Sequence, residues 1–118
     1  MNKNKVLKEL KDIEKHLGIK FPSEYMKFLS EEVQDKEPYE IKNKKGDCIY
    51  IFNYKDIVER NETYTVRDAE PDYFLIGQDG DLGYFICLKD NSDTIYSVDL
   101  GALGSLNMDD EAKDLYDL

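Results

Sequence analysis

The side chains with the most chemical capacity in this 118-residue sequence are its carboxylates. The densest group is Asp79-Gly80-Asp81, followed by Asp90 and Asp93, and an earlier one holds Glu31, Glu32 and Asp35. Asp79-Gly80-Asp81 invites comparison with a calcium loop, because an oxygen-ligand site needs clustered carboxylates on a sharply bent backbone. A helix–loop–helix calcium site also requires further acidic positions ending in a glutamate, whereas an apolar strand follows here. The turn is therefore read as chosen for its φ angles, and no metal is expected.

Other chemistries fare no better. His16 is the one histidine and falls at the end of a predicted helix, so no base is placed to activate a Ser, Cys or Thr nucleophile. With 26 Asp and Glu residues some carboxylates must approach one another, but abundance does not tune an acid and a base. There is no P-loop, and Gly77 to Gly83 has neither the dinucleotide-binding glycine spacing nor a following helix. Cys48 and Cys87 fall in predicted strands, without CxxC spacing or nearby histidines, and are expected to be buried free thiols. The residues point to a non-enzymatic protein without a cofactor.

Charge is unevenly distributed. Residues 1–60 carry 13 Lys/Arg against 12 Asp/Glu, a balance of +1, whereas residues 61–118 carry 3 against 14, a balance of −11, so the negative charge resides in the second half. An anionic surface disfavours direct nucleic-acid binding, which needs cations to displace counterions from phosphate. It suits simple solubility or rapid encounter with a basic protein partner, and composition does not choose between them. The longest apolar runs are too short for a membrane span, and the lysine-rich start leads into an amphipathic pattern unlike a secretion signal. A cytoplasmic protein is expected.

The elements that must carry these residues are legible in outline. Tyr73 to Leu88 forms two apolar strands around the Asp79–Asp81 turn, and its run Tyr84 to Leu88 lacks polar alternation, as a strand covered on both faces would. Val6, Leu10, Ile13 and Leu17 line one face of an N-terminal helix that Gly18 ends. Pro22 opens a second helix with Tyr25, Phe28, Leu29 and Val33 inward. Ser30 to Pro38 reads as a polar loop. Residues 39–43 and 48–52 predict a hairpin around Gly46, with Lys42, Lys44 and Lys45 guarding an edge. Asn53 can cap a short helix burying Ile57 and Val58, and residues 61–71 read as a polar connection. Ile95 to Asp99 is a return strand, and Met108, Ala112 and Leu115 predict a last helix with Asp109, Asp110 and Glu111 in its first turn. One α+β domain over residues 1–118 follows, with an antiparallel, strongly twisted sheet of about five strands and helices packed mainly on one side.

The stretch Ile13-Glu-Lys-His-Leu-Gly-Ile-Lys-Phe-Pro-Ser-Glu-Tyr-Met-Lys-Phe-Leu29 closely resembles the opening signature of the SMI1/KNR4 (SUKH) superfamily. The strand into Ile76-Gly77, the Asp/Gly turn, the Tyr84 to Leu88 strand and Ile95-Tyr-Ser-Val-Asp99 follow in the family's order. The return strand departs from many members in lacking tryptophan. The resemblance implies a binding domain and not an enzyme. Its bacterial members are regarded as immunity proteins that neutralise a cognate toxin, often a nuclease. A basic protein toxin is then the expected partner, with Asp79, Asp81, Asp90, Asp93, Glu31, Glu32 and Asp35 as candidate contacts. A regulatory or scaffolding domain without a toxin partner is the alternative.

Overall fold

The computed structural model describes residues 3–89, 92–105 and 107–118. Its centre is the apolar hairpin of strands β3 (Tyr73–Asp79) and β4 (Leu82–Cys87). Around it the chain runs as a meander in which β1 (Glu40–Lys42), β2 (Cys48–Ile51), β3, β4, β5 (Ile95–Asp99) and β6 (Asp109–Ala112) pair antiparallel in sequence order. The sheet thus has six strands, one more than the sequence suggests, and it curls.

The added strand replaces the expected C-terminal helix. β5 is buried at Ile95, Ser97 and Val98, and leaving its outer N–H and C=O groups without partners would be costly. The 109–112 segment satisfies them, with Ile95 opposite Ala112 and Ser97 opposite Asp109. A four-residue helix docked only by Met108 and Ala112 would recover less. The Ser97 hydroxyl also donates to Glu111 Oε1 at 2.7 Å, which fixes β6 in register.

Strand register sorts the core into two faces. Phe74 lies opposite Ile86, which lies opposite Ile95, so these three share one face with Ile49 and Ile51 further across the sheet. That face receives helix α1 (Lys3–Leu17) and helix α2 (Ser23–Phe28), the latter extended by a π-helical turn over Leu29–Val33. Phe21, between the helices, sets its ring 5.3 Å from Phe74 and 5.4 Å from Tyr25, both edge to face. Val6, Leu10, Leu29 and Val33 are completely buried there. At roughly 1.5–3 kcal/mol for each such side chain, this contact holds α1 in place; its charged outer face does not. The polar loop expected from Ser30 is instead this turn, because burying Leu29, Ser30 and Val33 keeps the chain helical while Glu32 faces solvent.

The opposite face carries Leu75, Phe85, Cys87 and Val98. The segment after β5 folds back across it, bringing a Leu100 methyl to 2.8 Å from where a Cβ at Gly83 would stand. A Cβ there would force the Leu100 methyl and the Phe85 ring to shift. Between β2 and β3, the predicted polar connection is helical: α3 (Ile57–Thr63) and α4 (Val66–Ala69) join at Thr65, which has φ +48°. Buried Ile57 and Val66 pull these turns onto the core despite their charged exteriors.

Asn61, the polar residue at the centre of α3, completes the sheet where β2 stops short. Its side-chain Nδ2 donates to Leu75 O at 2.9 Å and Ile57 O at 2.8 Å, and its Oδ1 accepts from Leu75 N–H at 2.7 Å. The amide thereby takes the place of a neighbouring strand's peptide group. Asn53, also buried, accepts from the N–H groups of Lys55 and Asp56 and turns the chain into α3, as its sequence context suggests.

Two buried side-chain oxygens among the described residues have no hydrogen-bond partner, the Tyr25 hydroxyl and Gln78 Oε1. Burial raises the Tyr25 pKa far above the ordinary tyrosine value. Substitution Tyr25→Phe removes an uncompensated polar group while keeping the ring packed on Phe21, and should stabilise the fold by about 1 kcal/mol. Urea unfolding of the two proteins checks this; a loss of stability would mean that the hydroxyl is solvated or bonded in the native protein.

Candidate partner-binding surface

Asp79 ends β3 and Asp81 begins the turn back to β4, with Gly80 between them at φ +59°. This left-handed value is the conformational demand that the sequence motif answers. Asp81 is exposed and Asp79 partly so. Asp90 lies outside the described residues.

Asp93 stands at the opposite end of β4, roughly 20 Å away by the length of a six-residue strand. Its carboxylate accepts the Glu24 N–H at 3.0 Å and so caps α2, a helix whose preceding Pro22 has no side chain able to do so. This carboxylate therefore has a structural task. Glu31 pairs with Lys3 at 3.0 Å, while Glu32 and Asp35 are exposed on and after the π-helical turn. Among the described candidates, Asp79 and Asp81 thus lie at one end of β4 and Asp93 at the other, so they do not form one cluster. Among the described residues, no three His, Cys, Asp or Glu side chains are grouped to hold a metal ion.

Sequence reasoning missed a different group. Glu40 lies opposite Tyr50, and Tyr50 opposite Gln78, so these three side chains stand in a row across β1, β2 and β3 on the face away from Ile49 and Ile51. They line a groove of about 400 Å³, together with Cys48, Phe52, Arg60, Asp79 and Gly80. The signal was present in Cys48-Ile-Tyr-Ile51, where alternation sends Cys48 and Tyr50 to one face and both isoleucines to the core. Cys48 is consequently exposed and not buried as expected, whereas Cys87 is buried. The Cys48 thiol donates to Glu40 Oε2 at 3.3 Å, and this bond to the carboxylate is the main reason its pKa is raised. It is held as a thiol and not as a reactive thiolate. Burial and the nearby Glu37 and Asp56 push the Tyr50 hydroxyl upward as well.

Lys44 and Lys45 of the first hairpin are directed elsewhere, whereas Lys42 lies opposite Cys48. Lys44 Nζ reaches Asp117 at 3.2 Å and Lys45 Nζ reaches Glu111 at 3.4 Å, so the β1–β2 turn meets the last strand and the chain's end. The outward surface of the second half is predominantly acidic: Glu62, Asp68, Asp72, Asp81, Asp99, Asp109 and Asp110 are exposed, against the exposed cations Arg67, Lys89 and Lys113.

The family model of SMI1 / KNR4 (SUKH-1) matches residues 7–117, nearly the whole chain. The chain belongs to the SMI1/KNR4 family. The match begins within α1 and ends in the Leu115–Asp117 turn, so all six strands lie inside the SMI1/KNR4 domain. No curated protein matches the sequence. Among the described residues, no helix is long and apolar enough to cross a membrane.

Proposed function

We propose that this SMI1/KNR4 protein is a non-enzymatic immunity protein, which neutralises a basic protein toxin, such as a nuclease, by stoichiometric binding in the cytoplasm. The observation that carries the reading is the balance of 3 cations against 14 carboxylates over residues 61–118, with many of those carboxylates exposed on a family scaffold. A nuclease presents cations where it holds phosphate, and an anionic face competes for that surface by complementary charge. Nothing in this mode of action requires a reaction by the immunity protein itself.

The test is co-expression with the product of an adjacent gene encoding a toxic protein. Rescue of growth and a one-to-one complex on purification are the expected results, and failure to rescue against every neighbouring toxin would overturn the reading in favour of a scaffolding role. Charge reversal at Asp79→Lys and Asp81→Lys should slow association about tenfold at low salt, with the difference shrinking at high salt as the charges are screened. Stopped-flow association rates measure this. An unchanged rate at low salt would remove these two residues from the encounter surface.

A further inference from the structure

We propose that the groove over β1, β2 and β3 takes an arginine side chain of a protein partner, its guanidinium lying on the Tyr50 ring between the Glu40 carboxylate and the Gln78 side-chain oxygen. The proposal rests on the immunity reading only for who the partner is.

Three observations converge on a planar cation. The first is an acceptor without a donor. Gln78 Nε2 donates to Gly80 O at 3.0 Å, and this bond fixes which end of the amide is which, because exchanging the two ends would set oxygen against oxygen. Gln78 Oε1 is buried and accepts no hydrogen bond among the described residues. A buried acceptor of this kind is costly unless a ligand supplies a donor.

The second is the surface between the acceptors. Strand pairing places Tyr50 directly between Glu40 and Gln78. Two inter-strand steps separate the outer pair by roughly 10 Å, which leaves room for a flat group over the ring and donors on both sides. A guanidinium has five N–H donors in one plane and stacks on aromatic faces, whereas an ammonium is a compact, strongly hydrated point charge. The chain uses the same arrangement next door, where the Arg60 guanidinium sits 5.5 Å from the centre of the Phe52 ring, itself 5.5 Å from Tyr50.

The third is the sign of the local field. The Tyr50 hydroxyl is influenced by the carboxylates of Glu37, Asp56 and Glu40 against the single cation Arg60, and Cys48 by Glu40 and Asp79 against Lys42. Carboxylates outnumber cations around both groups, so an incoming positive charge is favoured. Arg60 is already committed to Phe52 at one end, which leaves the Tyr50 position for the partner's side chain.

Titration of the isotope-labelled protein with an acetylated, amidated Gly-Arg-Gly peptide tests the groove itself, with lysine and citrulline peptides as controls. Saturable shifts of the Gln78 side-chain amide and of the Tyr50 and Gly80 backbone amides are expected with arginine, weaker with lysine and absent with citrulline. Glu40→Gln, an exposed substitution outside the core, should weaken binding about tenfold, as the loss of a charge-assisted hydrogen bond does. Equal response to citrulline, or shifts scattered over the acidic loops, would overturn the proposal. The toxin supplies a second arm: Glu40→Gln and Tyr50→Leu should each weaken its binding about tenfold. If the unaltered protein rescues growth while these variants bind the toxin as tightly, the groove proposal fails and the immunity reading stands. If no toxin is neutralised, the immunity reading fails and the peptide titration alone decides the groove.

Discussion

Replacing Asn61 by alanine should lower stability by about 3 kcal/mol, the largest single effect expected of a polar residue in this fold. The Leu75 N–H and C=O lose their side-chain partner at once, and the Ile57 C=O loses the second of its donors, keeping the helical Asn61 N–H. All lie in the interior, since Asn61 is 5% exposed and Leu75 fully buried, so water cannot readily replace the amide. In thermal unfolding the change corresponds to a fall in Tm of about 10 °C. A loss below 1 kcal/mol would show that α3 and β3 are held by packing alone.

The substitution Asn61→Asp provides a pH test of the same contact. A carboxylate can accept from Leu75 N–H but cannot donate to the two carbonyls, and burial disfavours its charge. Both effects raise the folded-state pKa of the introduced carboxyl above its unfolded value, so the unfolded state gives up the proton first as pH rises. The variant should therefore lie closest to the parent below the ordinary carboxylate range, near pH 4, and fall further behind as pH rises towards the folded-state pKa. Urea midpoints of both proteins at acidic and neutral pH measure the difference. A deficit independent of pH would contradict the assigned role.

Replacing Gly77 by alanine should cost about 2–3 kcal/mol for a different reason. A Cβ at this position would meet the Tyr50 carbonyl oxygen at 2.6 Å and Ile51 Cδ1 at 3.1 Å. The first of these is backbone, so no rotamer change relieves it, and β2 must shift relative to β3. Gly77 also follows the irregularity in the β3–β4 register, where Ile76 is the extra residue between Leu75 and Gly77. The shift would disturb the Tyr50–Gln78 pairing on which the groove depends. Denaturant unfolding should show a lower midpoint with an unchanged slope, while an alanine variant of parent-like stability would mean that the strands yield easily.

The sequence revealed those features that rest on strong local signals. The helix periodicity from Val6 to Leu17, the Gly18 stop and the apolar hairpin around Gly80 each have one physical reading, and the structure agrees. It revealed less where a weak local preference met a tertiary demand. Asp109–Ala112 has acidic residues suited to a helix start, but the open edge of β5 made it a strand. Residues 61–69 look polar because their buried members, Asn61 and Val66, are few, and Asn61 matters through bonds to a strand that lies 14 residues on. The candidate carboxylates show the same limit. Asp93 was legible as a charge, but its bond to Glu24 spans 69 residues and is visible only in the folded chain. The groove was missed because its members, Glu40, Tyr50 and Gln78, come from three strands and meet only through register.

The contacts of Lys44 with Asp117 and of Lys45 with Glu111 join residues 73 and 66 positions apart. Apart from short helical segments, the chain between them is a run of neighbouring strands, each paired with the next. Closure of the curl is different, for it joins segments far apart in the chain and must overcome the entropy of a long loop. Surface ion pairs of this kind contribute little, so they alone give this seam little resistance to opening.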